Sequence, residues 1–332
     1  METIVLKINP AHDFDITIPC EILKTGGLVA FPTETVYGLG ATIYEQKAIS
    51  KIFTVKGRPQ DNPLIIHVGN INQLEKVGFL EKKYRKIVEK LTPGPITFVV
   101  KRKEIVPDIA TAGLPTVGIR IPAHPVAQKL CLCAGPIAAP SANISGKPSP
   151  TDGKAVIEDL MNKIECIIDS GETPFGIESS IIDISKDKPI LLRPGPITIE
   201  TLKELFDDLE VPEFVKKAKS VTTPEAPGMK YRHYAPEKPL YLIENEKDII
   251  DKINDLNAVV ICPEEHAHLY PKNKVVILGS LKKPYTIAQN LFKTLRKIDK
   301  LDCDLAFVEA FEERGILFSV MNRLKKAAKK WG

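Results

Sequence analysis

A short basic loop contains the first side chains that could bind an anion. Lys56 and Arg58 flank a glycine, and Asn62 follows just before the apolar run Leu64–Val68. Arginine offers a planar fork to phosphate oxygens and lysine a point charge, and two prolines restrict the loop. A solvated loop is the simpler explanation of two charges, but the restricted backbone favours an anion site. His67 lies inside the apolar run, and a core histidine without a function is its alternative reading.

Polar side chains also follow other apolar runs, close to the point where each run ends. Thr35 comes soon after Leu28–Phe31, and Ser141 and Asn143 come soon after Ile137–Ala139. Three further polar residues stand at strand ends or in the adjoining loops: Thr151, Ser180 and Arg193. A simple turn explains any one of them. Because ligands of open α/β sheets bind at strand ends, the whole set predicts one groove for a phosphorylated ligand and a small carboxylate.

The run Thr116–Ile121 places an arginine in the middle of a predicted strand. Val117 and Ile119 would face one side of that strand, and Gly118 and Arg120 the other. A mid-strand arginine opposite an apolar face needs an acidic partner. That partner is either a protein carboxylate or the carboxylate of a bound ligand, for which the missing side chain of Gly118 would leave room.

Several common functional motifs do not occur in the sequence. There is no Gly-x-x-x-x-Gly-Lys-Ser/Thr loop and no complete Gly-x-Gly-x-x-Gly fingerprint. There is also no Gly-x-Ser-x-Gly elbow and no His-Glu-x-x-His zinc motif. No paired carboxylates stand out in the first part of the chain. Glycosidase and metalloprotease chemistry are therefore not indicated.

The elements that must position these residues alternate between strand-like and helix-like runs over residues 1–210. The predicted strands are Leu28–Phe31, Leu64–Val68, Ile96–Val100, Thr116–Ile121, Ile137–Ala139, Cys166–Asp169, Ser180–Ile184 and Ile190–Leu192. The predicted helices are Pro19–Thr25, Glu45–Val55, Ile71–Val77, Lys82–Leu91, His124–Cys133, Gly153–Met161 and Ile199–Leu205. Such alternation predicts an α/β fold. Because strands outnumber helices, several strand pairs should be antiparallel, and we expect a twisted mixed sheet.

Residues 240–332 restart the alternation and predict a smaller Rossmann-like domain. Its predicted strands are Leu240–Ile243, Ala258–Cys262, Val275–Leu278 and Leu305–Glu309, and its clearest helix is Tyr285–Ile298. Residues 211–239 between the two domains contain five prolines and cannot form one helix. This linker has an aromatic and basic middle that includes Tyr231–Tyr234. It is either a packed connector or a segment that folds over the active site.

Composition narrows the classes of protein further. The 46 basic and 42 acidic residues give a formal charge of +4, which is too small to establish nucleic-acid binding. No stretch approaches the ~20 apolar residues that span a membrane, and Met1–Pro10 lacks the features of a signal peptide. Six scattered cysteines, with no paired metal-finger spacing, favour reduced thiols in a cytoplasmic protein.

Five sequence segments together resemble a known enzyme family: Lys56-x-Arg58, Ser141-x-Asn143, Pro32–Leu39, Leu191–Pro196 and Ala226–Pro236. The first three look like the YrdC-like L-threonylcarbamoyladenylate synthases. The last two resemble the branch of that family that carries a second, C-terminal domain. The resemblance covers nearly the whole chain, and no signature position departs from the family pattern. It implies a YrdC-like catalytic domain followed by the Rossmann-like domain.

The resemblance implies a reaction and its partners. L-threonine, bicarbonate and ATP would give L-threonylcarbamoyl-AMP, pyrophosphate and water. A tRNA threonylcarbamoyl-transfer complex would then use the product to make N6-threonylcarbamoyladenosine in tRNA. Mg²⁺ is expected with ATP, held mainly by the nucleotide and by water and not by protein ligands. Whether the protein also contacts tRNA directly is left open.

The resemblance also implies a role for each site residue. The residues expected to bind ATP are Lys56, Arg58, Asn62, Thr116, Asn143, Thr151, Arg193 and Tyr234. Those expected to bind L-threonine are Thr35, His67, Arg120, Ser141 and Ser180. Four of these are expected to be catalytic: Lys56, Arg58, Ser141 and Asn143. The alternatives are a module that binds double-stranded RNA or tRNA without catalysis, and an ATP-dependent carbamoyl transferase that acts on another amine.

Overall fold

The computed structural model describes residues 1–220, 224–227 and 234–331. Within these ranges the chain forms two α/β units, each built around its own sheet. None of the helices in the described part of the chain has the length and apolar character that a membrane span requires.

The first unit is built on a mixed sheet of eleven described strands. The strands are β1 (Ile4–Lys7), β2 (Val29–Phe31), β3 (Gly38–Thr42), β4 (Ile65–His67), β5 (Gly78–Phe79), β6 (Ile96–Arg102), β7 (Thr116–Arg120), β8 (Ile137–Ala139), β9 (Cys166–Asp169), β10 (Ser180–Asp183) and β11 (Ile190–Arg193). Their order is β1-β9-β2-β3-β8-β4-β7-β6-β10-β11, with β5 paired to β6. Parallel and antiparallel pairs occur together, so the predicted mixed sheet is confirmed.

Helices cover both faces of this sheet. They are α1 (Thr17–Lys24), α2 (Gln46–Lys56), α3 (Ile71–Val77), α4 (Lys82–Leu91), α5 (Asp108–Thr111), α6 (Pro125–Ala134), α7 (Gly153–Leu160), α8 (Ile199–Leu205) and α9 (Glu213–Lys216). Alternate residues of a strand enter different cores. Ala30 packs with Ile49 and Ile52 of α2, whereas its neighbour Val29 packs with Leu23 of α1 and Leu130 of α6.

The second unit has a fully parallel sheet, as expected of a Rossmann-like domain. Its strands are β12 (Leu240–Ile243), β13 (Ala258–Pro263), β14 (Val275–Gly279), β15 (Leu305–Glu309) and β16 (Lys329–Lys330), in the order β14-β13-β15-β12-β16. Its helices are α10 (Lys247–Ile250), α11 (Pro284–Ile298) and α12 (Gly315–Ala327), with short 3-10 helices at Ile253–Asp255, Glu264–Leu269 and Lys272–Lys274. The predicted apolar stripe of α11, which includes Leu291 and Leu295, is buried.

The two units share a polar interface. Arg296 of α11 makes an ion pair with Asp159 at 2.8 Å and donates a hydrogen bond to the Pro148 carbonyl at 2.7 Å. Arg323 of α12 is completely buried and lies 3.1 Å from a carboxylate oxygen of Glu178. Charged groups of the second unit therefore reach loops of the first one.

One expectation about the cysteines is wrong. Cys20 of α1 and Cys133 at the end of α6 form a disulfide, although 113 residues separate them in the sequence. The two helices pack against each other on one face of the sheet, which brings the side chains together. The other four cysteines are buried free thiols, as expected.

Candidate active site

A cavity of about 70 Å³ lies over one face of the first sheet. Seven of the predicted site residues line it: Arg58, His67, Arg120, Ser141, Asn143, Arg193 and Tyr234. Its floor includes Gly38, Ile65 and Ala139. These residues belong to three neighbouring strands, β3, β4 and β8. The cavity thus extends across the sheet and is not confined to one edge.

Strand register places two of the residues expected to bind L-threonine next to each other. His67 ends β4 and Arg120 ends β7, and the two are direct partners in this parallel pair. Both point away from the main core, because Ile66 and Ile119 occupy the alternate positions that enter it.

Arg120 has two protein partners at this end of the cavity. It donates a hydrogen bond from Nη1 to the Thr35 hydroxyl at 2.7 Å, and its Nη2 lies 2.7 Å from a carboxylate oxygen of Glu34. The acidic partner required by the sequence is thus a protein carboxylate. Burial, with a further contribution from Arg120, lowers the pKa of His67 to about 3. His67 is therefore neutral at physiological pH.

The end of helix α2 forms the basic corner of the site. Gly57 has φ of +61°, a left-handed conformation that ends the helix and turns the chain toward Arg58. Arg58 lines the cavity, whereas Lys56 is buried behind it. The Lys56 ammonium donates to the Ser141 carbonyl at 2.6 Å and to the Asn143 carbonyl. Burial, reinforced by Arg58, holds the pKa of Lys56 well below its usual range.

A third wall of the cavity is formed by Glu178, Ser179 and Arg193. Arg193 donates from Nε to the Ser179 carbonyl at 3.0 Å and from Nη2 to the Ser179 hydroxyl at 3.1 Å. Burial lowers the pKa of Arg193 to about 10, so it remains a cation at neutral pH. Glu178 accepts a hydrogen bond from Ser149 at 2.7 Å and faces Arg323 with its other oxygen.

The remaining predicted residues do not line the cavity: Thr35, Lys56, Asn62, Thr116, Thr151 and Ser180. Thr35 and Lys56 contact residues that do, namely Arg120 and the 141–143 turn. Ser180 donates its hydroxyl to the Ile197 carbonyl at 2.8 Å, and its neighbour Ser179 reaches the cavity instead. Thr116 begins β7 and lines a second, smaller cavity together with Gly118.

Six polar lining residues were not singled out by the sequence: Thr33, Tyr37, Lys147, Ser149, Glu178 and Ser179. Each lies in a segment next to a predicted site residue. The sequence therefore indicated the segments that form the site, but it did not identify these individual residues. The Ser179–Ser180 pair could have been resolved by knowing where the strand begins, because successive side chains of a strand point to opposite faces.

Buried polar atoms without partners surround the cavity. Among the described lining residues, Nδ1 of His67 and Oδ1 of Asn143 are buried and make no hydrogen bond; both amide atoms of Asn62, which lies outside the cavity lining, are also unsatisfied. Buried polar groups are nearly always satisfied in folded proteins. Their concentration around one cavity points to a polar ligand that completes their hydrogen bonds.

Part of the linker reaches the site. Pro227 and Tyr234 line the cavity, and the Tyr234 ring stacks on Phe292 of α11 with 5.0 Å between centroids. Burial raises the pKa of Tyr234 to about 12, so its hydroxyl stays protonated. Of the predicted aromatic segment Tyr231–Tyr234, the first three residues lie outside the described residues.

Comparison with known proteins decides the family. A model of the Sua5-YciO-YrdC family, described as "Telomere recombination", matches residues 21–195. A second model, described as "Threonylcarbamoyl-AMP synthase, C-terminal domain", matches residues 197–329. The chain belongs to the YrdC-like threonylcarbamoyl-AMP synthase family. Together the two matches cover both units of the fold.

Relatives in this family match over almost the full length. The threonylcarbamoyl-AMP synthase of Pyrococcus abyssi is 44% identical, with 98% of each chain covered. That of Bacillus subtilis is 39% identical over 96% of this chain and 94% of its own. The crystal structure of Pyrococcus abyssi Sua5 complexed with L-threonine matches with a TM-score of 0.91 and 42% identity, covering 99% of this chain and 100% of that one.

Membership in the synthase family makes this chain an enzyme of the nucleotidyltransferase type. In the described ranges, no three His, Cys, Asp or Glu side chains are grouped so that they could hold a metal ion. The polar groups that face the cavity are instead mainly guanidinium, hydroxyl and amide groups.

Proposed function

We propose that this protein makes L-threonylcarbamoyl-AMP from L-threonine, bicarbonate and ATP. The threonine amine would attack the carbon of bicarbonate or carbon dioxide to give a carbamate, with loss of water where bicarbonate reacts. A carbamate oxygen would then attack the α-phosphorus of ATP, and the bond to the β-phosphate would break to release pyrophosphate. The observation that carries the proposal is the cavity itself, with its excess of cations and its unsatisfied polar atoms.

The charges of the cavity suit the proposed substrates. Among its described lining residues, Glu178 is the acidic one. The basic ones are Arg58, Arg120, Lys147 and Arg193. We assign Arg58 and Arg193 to the triphosphate, because arginine pairs with phosphate oxygens through two parallel hydrogen bonds. Lys56 lies behind the wall of the cavity and would act indirectly, by donating hydrogen bonds to the Ser141 and Asn143 carbonyls.

The other end of the cavity suits L-threonine. Arg120 can receive the substrate carboxylate while Glu34 and Thr35 hold its guanidinium in place. Neutral His67 lies beside it and can exchange hydrogen bonds with the substrate without adding charge. The roles of Asn62, Thr116, Thr151 and Ser180 in substrate binding stay predictions, since these side chains would need to move to reach the cavity.

No protein nucleophile is needed for this reaction. Holding the reactants in the correct orientation can contribute roughly 7–11 kcal/mol to the lowering of the barrier. Mg²⁺ would arrive with ATP and neutralise charge on the phosphates. Such an ion would keep several waters and be held mainly by the phosphate oxygens of ATP.

The cavity would have to widen to hold these substrates. Its volume of about 70 Å³ is far below the roughly 300–1,000 Å³ typical of ligand pockets. Pro227 and Tyr234 line it from the linker and are the described groups best placed to move away and return. Closure over the reactants would protect the labile carbamate from water.

Labelled bicarbonate provides the direct test. The protein is incubated with ¹⁴C-bicarbonate, ATP and one amino acid at a time, and the labelled adenylates are separated. We expect label in an adenylate with L-threonine and pyrophosphate release in equal amount. Label with a different amine would indicate another carbamoyl transferase. Tight, steeply salt-dependent RNA binding without ATP consumption would instead favour the RNA-binding alternative.

Variants of the basic corner test the residue assignment. Lys56→Ala and Arg58→Ala should each abolish ATP turnover while the protein stays folded by circular dichroism. Lys76→Ala, an exposed lysine in the last turn of α3, serves as the control and should retain full activity. Near-normal turnover in both site variants would remove the phosphate assignment. The cytoplasmic location, the direct tRNA contact and the transfer complex remain predictions.

A further inference from the structure

Arg323 is the most deeply buried charged residue that the proposed chemistry does not use. It lies on α12 of the second unit with no exposed surface, yet all its hydrogen-bond acceptors belong to the first unit. Its Nε donates to a carboxylate oxygen of Glu178 at 3.1 Å, and its Nη1 donates to the Pro194 carbonyl at 2.6 Å. Nη2 lies 3.5 Å from the Glu178 carbonyl. The Arg323 guanidinium thus connects the segment that contains Glu178 to the segment that contains Pro194.

Both of these segments form the third wall of the cavity. Glu178 lines the cavity directly, next to Ser179. Pro194 follows Arg193, whose guanidinium is held on Ser179 by two hydrogen bonds. The position of the Arg193 side chain therefore depends on how the two segments lie against each other.

The same face of α12 fixes the turn after Arg193. Ser319, one turn before Arg323, donates its hydroxyl to the Gly195 carbonyl at 3.0 Å. Gly195 packs so closely on the first unit that an added Cβ would lie 2.3 Å from the Ser180 nitrogen. This contact leaves the turn little freedom, and α12 holds it from the other side.

We propose that Arg323 is a positioning residue for the nucleotide end of the active site, contributed by the C-terminal domain. By holding Glu178 and Pro194 together, it sets the distance between the segments that present Ser179 and Arg193 to the substrates. The inference rests on the proposed function for the assignment of Arg193 to ATP. The threonine end, at Arg120 and His67, has no contact with Arg323 in the described part of the chain.

This separation makes a specific prediction. Arg323→Met removes the contacts to Glu178 and Pro194 and leaves the buried Glu178 carboxylate without this ion pair. We expect the dissociation constant for ATP, measured by calorimetry on the full-length protein, to rise at least tenfold. Binding of L-threonine, measured by equilibrium dialysis, should stay within twofold of the parent protein. Arg314→Met, at an exposed arginine just before α12, is the matched control and should change neither.

Two further variants keep the test decisive. Arg323→Lys keeps the positive charge but loses the planar guanidinium that donates to two acceptors. It should therefore weaken ATP binding less than Arg323→Met does. Glu178→Gln removes the charge of the partner, and in the double variant with Arg323→Met the losses should not add, because the two residues act through one contact. If Arg323→Met does not fold, Arg323→Lys and Glu178→Gln are judged by the same ATP and threonine criteria.

Two results would overturn the proposal. Unchanged ATP binding in folded Arg323 variants would make Arg323 an ordinary interface residue. Equal loss of ATP and threonine binding would show a general loss of structure and not positioning. Because these readouts are binding constants, they do not depend on product formation. Failure of the synthase reaction in the labelled-bicarbonate assay would therefore be seen separately.

Discussion

Arg120, which we propose binds the substrate carboxylate, is already held in place by the protein itself. Its guanidinium is held by Glu34 and Thr35, and its strand neighbour His67 carries no charge at neutral pH. Arginine at such a site presents a planar guanidinium of fixed orientation to a carboxylate, whereas lysine would present a single charge on a flexible chain. Arginine and lysine are therefore not equivalent at this position, although both are cations.

Arg120→Lys should raise the KM for L-threonine roughly 10- to 100-fold. Losing a hydrogen bond between charged groups costs about 1.5–3 kcal/mol, and each 1.4 kcal/mol corresponds to about tenfold in affinity. The KM for ATP should stay within about twofold, because Arg58 and Arg193 are unchanged. Steady-state kinetics with each substrate varied in turn measures both constants.

Arg85→Lys provides the control for this prediction. Arg85 is an exposed arginine of α4 that pairs with Glu75 and Glu89, far from the proposed chemistry. It should leave both KM values unchanged. A threonine KM that does not move in Arg120→Lys would show that the substrate carboxylate binds elsewhere.

At the scale of elements, the sequence predicted most strands and helices of the first unit but not all of them. Ile137–Ala139, Ile71–Val77 and Lys82–Leu91 have the predicted bounds. β3 was missed because Gly38–Thr42 contains two glycines and no continuous apolar run. β1, an edge strand, was not predicted although Ile4, Val5 and Leu6 form a short apolar run.

The disulfide between α1 and α6 could not be predicted for a related reason. Both helices were predicted, but nothing local in the sequence indicates that they pack against each other. Cys20 and Cys133 become neighbours only through the arrangement of the whole sheet. Spacing rules detect metal fingers and dense disulfide frameworks, and they do not detect one bridge over 113 residues.

Counting thiols tests this bridge directly. In denaturant without reductant, we expect four reactive thiols per chain, because Cys20 and Cys133 are joined and the other four cysteines are free. Full reduction should raise the count to six. Cys20→Ser should give five without reductant, since Cys133 then lacks its partner. Six thiols in unreduced parent protein would show that the bridge does not form in solution.

At the scale of the whole molecule, the sequence did not predict the polar contacts between the two units. Arg323 and Arg296 lie on amphipathic helices of the second unit, where arginine ordinarily faces solvent. Their partners Glu178 and Asp159 lie more than a hundred residues away in sequence. Periodicity can assign a residue to a helix face, but it cannot identify what covers that face.

Lys326 offers a test of this buried interface through the pH dependence of stability. It lies one turn after Arg323 on α12, and burial, with repulsion from Arg323 and Arg193, lowers its pKa from the usual 10.5 to about 7. Between these two values the unfolded chain holds a proton that the folded protein has released. The contribution of Lys326 to stability therefore rises with pH through this window and falls as pH approaches 7.

Lys326→Met should abolish this dependence. At about 1.4 kcal/mol per pH unit, the parent protein should gain up to about 2 kcal/mol of unfolding free energy between pH 7.5 and pH 9 relative to the variant. Urea unfolding of both proteins at the two pH values measures the difference, in which other titrating groups cancel. Lys329→Met, at an exposed lysine just after α12, should behave like the parent. Parallel pH profiles for the parent and Lys326→Met would mean that Lys326 stays charged, and that the interface beside Arg323 and Glu178 is open to water.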